Sequence, residues 1–97
     1  MDKEQQIVEI VLSANDILWQ ARNLQRPGTT LQEVREETGY LAGLTDSLLE
    51  MYEEFPDDGD IRQQRKGFLM EARDEFWNET PSSGAKLLEA FLTTFRQ

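Results

Sequence analysis

Apolar residues recur along this chain at steps of three and four, and no segment alternates between apolar and polar residues as a strand would. Short segments rich in Pro, Gly, Asp, Thr and Ser separate four such stretches. We therefore predict helices over residues 4–25, 31–54, 58–79 and 82–96. Because short connections favour antiparallel neighbours, the predicted fold is all-α, a small antiparallel four-helix bundle made as one domain by residues 1–97.

The first predicted helix has two apolar faces. One face is a continuous stripe, widened by two further residues: Ile7, Ile10, Ala14, Ile17, Ala21 and Leu24, with Val11 and Leu18. The second face carries Val8, Leu12 and Trp19 and lies well round the helix from the first. A helix that is apolar on most of its circumference is either central in its fold or shares a surface with another molecule.

The second predicted helix begins with a capping box, in which Thr30 precedes Glu33 by three positions or, in an alternative register, Thr29 precedes Gln32. Gly39 and Gly43 interrupt the helix on one face, and we expect either a close approach of another helix or a kink near Gly39. Its expected core stripe consists of Leu31, Val34, Leu41, Leu44, Leu48, Met51, Tyr52 and Phe55.

The third and fourth helices have clear start signals. Asp57 or Asp58 can cap the third helix. The fourth begins either with Thr80 as cap and Pro81 in the first helical position, or at Ser82 or Ser83. The expected core residues of these two helices are Ile61, Phe68, Leu69, Ala72, Phe76, Leu87 or Leu88, Phe91, Leu92 and Phe95, with Met70 and Trp77 beside the stripe.

Large aromatic residues are the strongest interface candidates, because aromatic side chains dominate binding hot spots. The chain offers four such residues outside the phenylalanines: Trp19, Tyr40, Tyr52 and Trp77. For each of them, core packing is the expected role. Trp19 is the best exception, because it lies on the second apolar face of the first helix.

The composition argues against most enzyme chemistry. The chain has no histidine and no cysteine, which removes the usual general base, the usual thiol nucleophile and the usual soft metal ligands. We therefore predict a protein without catalytic residues and without a cofactor. The absence of cysteine fits a reducing compartment, and we expect the protein in the cytoplasm.

The net charge of −9 disfavours direct binding to nucleic acid or to an anionic membrane surface. It suits a protein partner with a basic surface, and it also serves solubility. The acids concentrate in a segment that we call the acidic turn: Glu50, Glu53, Glu54, Asp57, Asp58 and Asp60. The acidic turn is either a docking patch for a basic partner or a solvated helix end. The third helix carries four basic residues that we expect to pair with the glutamates of the acidic turn. They are Arg62, Arg65, Lys66 and Arg73.

Residues 36–42, Glu-Glu-Thr-Gly-Tyr-Leu-Ala, resemble the metal-binding helix of the all-α nucleoside triphosphate pyrophosphohydrolases. That family has two adjacent glutamates, a third glutamate three positions after the second, and a later Glu-x-x-Asp element. The third position here is Tyr40, which is not an acid. The later element here would be Glu54 to Asp57, which contains Pro56, or Glu71 to Asp74. The resemblance implies Glu36, Glu37, Glu71 and Asp74 as magnesium ligands, with impaired activity.

The sequence as a whole favours a non-enzymatic protein–protein interaction module, such as an adaptor, an inhibitor or an immunity-type protein. Its predicted binding residues are Val8, Leu12 and Trp19 together with the acidic turn. Self-association is a further possibility. The alternatives are a degenerate magnesium-dependent pyrophosphohydrolase and an acidic decoy that occupies a nucleic-acid-binding site.

Overall fold

The computed structural model describes residues 2–96, which form four α-helices: α1 (Lys3–Asn23), α2 (Leu31–Glu53), α3 (Gly59–Trp77) and α4 (Pro81–Thr93). All four predicted helices are present. The largest difference in their ends is in α4, which finishes at Thr93 rather than at residue 96. None of the described helices is both long enough and apolar enough to cross a membrane.

The helices form an antiparallel ring in which α1 contacts α2 and α4, and α3 contacts the same two helices. Side-chain contacts show the directions. The start of α1 meets the end of α2 where the Gln6 amide donates to the Glu54 carbonyl at 3.5 Å. The start of α3 meets the end of α4 where Arg65 donates to Thr94. The prediction of a small antiparallel four-helix bundle is confirmed.

Two of the four helices, α1 and α2, have a side-chain hydrogen bond at the N-terminal cap. The Thr30 hydroxyl accepts the Glu33 N–H at 3.1 Å, as predicted. Asp2 caps α1 by accepting the Gln5 N–H at 2.8 Å. Thr80 precedes Pro81 at the start of α4, but its hydroxyl donates to Glu75 instead of capping the helix. Asp58 occupies the cap position of α3 without a side-chain hydrogen bond.

The core contains most of the predicted stripe residues, with two errors in α2. Leu31 is 63% exposed and Met51 is 36% exposed. Thr38 and Thr45 are buried on the side of α2 that also buries Leu41. Their hydroxyls donate to carbonyls one turn earlier in α2, at 2.6 Å and 2.8 Å, so both groups are satisfied without water.

The expected role of the α2 glycines is wrong. α2 runs without interruption through Gly39 and Gly43, and a Cβ atom added at either residue would meet nothing within 4 Å. The close approach of two helices occurs instead at Gly84 in α4. A Cβ atom there would lie 2.4 Å from the Phe76 ring of α3, so only glycine allows this contact.

Candidate protein-binding surfaces

Val8, Leu12 and Trp19 lie together on the outer face of α1, and we call this set the outer α1 face. Their side chains are 54%, 62% and 61% exposed. On an ideal helix they fall within an arc of about 40°. The buried residues of α1, which include Ile10 and Ala14, point the opposite way. The ring of helices therefore leaves the second apolar face of α1 uncovered.

The acidic turn divides into an exposed part and an internal part. Glu50, Glu54, Asp58 and Asp60 are exposed. Glu53 is exposed but paired, since its carboxylate lies 2.7 Å from the Lys66 ammonium and 3.6 Å from the Arg62 guanidinium. The hydrogen bond from Lys66 holds the pKa of Glu53 below its usual value. The pairing of Glu53 with basic residues of α3 agrees with the sequence prediction.

Asp57 does not belong to the exposed part. Its side chain is only 9% exposed and one of its oxygens accepts two hydrogen bonds of 2.6 Å, from the Tyr52 hydroxyl and from Arg65. Burial and the bond to Asp57 raise the pKa of Tyr52 above its usual value. Asp57 is therefore an internal residue of the turn, and a docking partner would find only its neighbours.

Arg65 joins the turn to the end of α4. Its guanidinium donates to the Thr94 hydroxyl at 2.8 Å and to the Thr94 carbonyl at 2.9 Å, and it lies 3.7 Å from the centre of the Phe95 ring. The sequence predicts Arg65 as a surface partner of the glutamates, but its partners are Asp57 and Thr94. It is one of the few buried polar residues in the described chain.

Arg62 fixes the backbone of the turn. Its guanidinium donates to the carbonyls of Asp57 at 2.7 Å, Phe55 at 2.6 Å and Glu53 at 3.2 Å. These three carbonyls follow or end α2, where helical partners are missing. The turn therefore presents its exposed acids on a backbone held by a side chain of α3.

A shallow groove of about 350 Å³ runs between α2 and α3 beside the acidic turn. Its rim includes the pair of Asp46 with Arg73, at 3.2 Å, which raises the pKa of Arg73. Leu49 and Met70 provide its apolar surface. The sequence predicts Arg73 as a partner of the acidic-turn glutamates, but its partners are Asp46 and Asp74. Asp46 lies on a different helix and belongs to no acidic cluster, so no local pattern indicates this pair.

The structure does not bring the four proposed magnesium ligands together. Glu36 and Glu37 line a pocket with the end of α1, beside Gln20. Asp74, on α3, accepts from its neighbour Arg73 at 3.3 Å. Within residues 2–96, no group of three or more acidic side chains is arranged to hold a metal ion.

Two aromatic side chains that were predicted to pack in the core are exposed. Tyr40 is 57% exposed and Trp77 is 59% exposed, although core packing was the expected role of both. Tyr52 is buried, in agreement with the expected core role. Trp19 is exposed, in agreement with its position on the second apolar face of α1. Helical position could have indicated the exposure of Tyr40, since it lies about 140° around α2 from the buried Thr45.

No protein-family model, curated protein sequence or solved structure is significantly similar to this chain.

Proposed function

We propose that this protein is a non-enzymatic protein-binding module of the cytoplasm that uses the outer α1 face as its main contact. The observation that carries the proposal is the exposure of Val8, Leu12 and Trp19 on one side of one helix. Large apolar side chains that are exposed together on one face are typical of interaction sites, and tryptophan is among the residues most enriched in binding hot spots.

The exposed part of the acidic turn is proposed as a second contact. Glu50, Glu54, Asp58 and Asp60 form no ion pair within residues 2–96. Like charges held close together repel one another, and a basic surface of a partner would offset that repulsion. Asp57 is left out of this contact because it is internal.

The test is affinity capture from a lysate with matched variants of the protein. Trp19→Ala removes the largest side chain of the outer α1 face. Trp77→Ala is the matched control, since its side chain is equally exposed but lies on α3. We expect a captured protein to be lost with Trp19→Ala and retained with Trp77→Ala. Equal capture by both variants would remove the outer α1 face from the proposal.

The second contact is tested with charge reversal. Glu50→Lys combined with Glu54→Lys reverses two exposed acids of the turn and leaves the Asp57 interactions in place. Glu36→Lys combined with Glu71→Lys gives the same net charge from exposed positions elsewhere. We expect only the first pair to lower the salt concentration at which the partner elutes. An equal effect of both pairs would show that overall charge, rather than the turn, is responsible.

A further inference from the structure

We infer that the partner segment that covers the outer α1 face is an amphipathic helix with Lys or Arg beside its apolar stripe. This inference rests on the proposed function and specifies the partner's chemistry. Leu12 follows Val8 by four positions and Trp19 follows Leu12 by seven. This is the spacing of the core positions of a heptad repeat, which form the seam between two packed helices. Asn15 occupies the core position between Leu12 and Trp19 and is exposed.

One side of this seam is acidic, since Glu9 and Asp16 flank it there. The other side carries Glu4, followed by Val11 and Leu18, which belong to the main apolar stripe and pack in or against the core. None of the three acids forms an ion pair within the described chain, and Asp16 accepts only from the amide of Gln20, at 3.2 Å. Residues beside a heptad seam select the partner by charge. The acids of this face therefore select a helix with basic residues in the facing positions.

The same acids disfavour a second copy of this chain as the occupant. In an antiparallel pair of α1 helices, the side of the seam with Glu9 and Asp16 would face its own equivalent. In a parallel pair, Glu4 of one helix would face Glu9 of the other. Both arrangements oppose acid with acid, and each copy carries a net charge of −9. The charge pattern therefore points to a different protein.

The test is a selection from displayed helical peptides. The library has Leu at the heptad core positions and a random choice of Lys, Gln or Glu beside them. Peptides are selected on the immobilised wild-type protein and counter-selected on Trp19→Ala. We expect Lys to exceed Glu at the flanking positions by about tenfold, since each complementary surface pair contributes modestly and several act together. A selection without charge preference, or with a preference for Glu, would overturn the inference.

Matched charge variants separate the face from the whole protein. Glu9→Lys combined with Asp16→Lys should reverse the preference from Lys to Glu. Glu36→Lys combined with Glu71→Lys changes the net charge equally but lies away from the seam, and it should keep the preference for Lys. If both variants shift the preference equally, net charge alone attracts the peptides and the inference is wrong.

Two other outcomes would assign the face to another occupant. Sedimentation equilibrium should find a monomer, and a dimer that dissociates with Trp19→Ala would make a second copy the occupant. If no peptide is enriched in a Trp19-dependent way while lysate capture still finds a Trp19-dependent protein, the proposed function stands and the helical partner is wrong. If capture is also independent of Trp19, the contact proposed for the outer α1 face fails as well.

Discussion

Tyr52 and Asp57 are joined by a hydrogen bond of 2.6 Å, in which the tyrosine hydroxyl donates to the carboxylate across the end of α2. Arg65 donates to the same oxygen from α3, also at 2.6 Å. Burial excludes water from these charges, so each depends on the other for compensation. This arrangement, together with the bonds from Arg62 to the backbone of the turn, holds the turn against the start of α3 and the end of α4.

Removing the charge of Asp57 should destabilise the protein strongly. In Asp57→Asn, the nearly buried guanidinium of Arg65 loses its counter-charge. We therefore expect the free energy of unfolding to fall by about 3 kcal/mol. Asp58→Asn is the matched control, because Asp58 is exposed and its side chain caps nothing. It should change the free energy by no more than about 0.5 kcal/mol. Urea denaturation measures both, and equal midpoints would contradict the internal role of Asp57.

Stability should decline at high pH in a way that depends on Tyr52. The pKa of Tyr52 is raised in the folded protein, first by burial and then by the bond to Asp57. Folding therefore favours the neutral phenol. Its contribution is fully present below the unfolded pKa of about 10 and is lost as the pH rises beyond that value.

Tyr52→Phe should remove this part of the pH dependence. At neutral pH it should also lower the free energy of unfolding by about 1 kcal/mol, because Asp57 loses one donor. Tyr40→Phe is the matched control, since the Tyr40 side chain is exposed. Urea midpoints measured from neutral pH to above pH 10 should have a shallower alkaline decline only in Tyr52→Phe. If the urea midpoint of Tyr52→Phe fell as steeply with pH as that of the wild type, other groups would cause the loss of stability.

The helices were predictable from sequence because the three-to-four periodicity and the breaks at Pro27, Pro56 and Pro81 are local signals. The exposure of Trp19 followed from the same pattern, since its position lies away from the main stripe. The burial of Asp57 could not be predicted from the sequence, because it depends on Arg65 of the next helix. The residues around Arg65 in the sequence give it the pattern of a surface residue. Thr38 and Thr45 were missed because a polar residue was not counted as core, although each hydroxyl is satisfied within its own helix.

The α2 glycines offer a stabilising substitution. Gly39→Ala and Gly43→Ala should each raise the free energy of unfolding by about 0.5–1 kcal/mol, because alanine favours the helix and the added methyl group meets open space. Gly84→Ala is the opposite case, since its methyl group would collide with the Phe76 ring, and we expect it to destabilise the bundle. Thermal denaturation distinguishes the two. A gain in stability with Gly84→Ala would contradict the close packing of α3 and α4.

The end of α3 contains a strained residue. Glu79 has a φ angle of 63°, in the left-handed region that favours glycine. Its N–H donates to the Phe76 carbonyl at 3.0 Å, and the next N–H, of Thr80, donates to the Glu75 carbonyl at 3.0 Å. This is the hydrogen-bond pattern of a Schellman motif, whose left-handed position is usually glycine.

Glu79→Gly should therefore raise the free energy of unfolding by about 1 kcal/mol through relief of this strain. The substitution also removes the contact of Glu79 with Arg35, at 3.4 Å, but that pair is exposed and contributes little. Glu79→Ala is the matched control, because it removes the same carboxylate and keeps a Cβ atom at the strained position. Urea denaturation should place the glycine variant above both the wild type and the alanine variant. Equal stability of the two variants would show that the left-handed backbone at this position is not under strain.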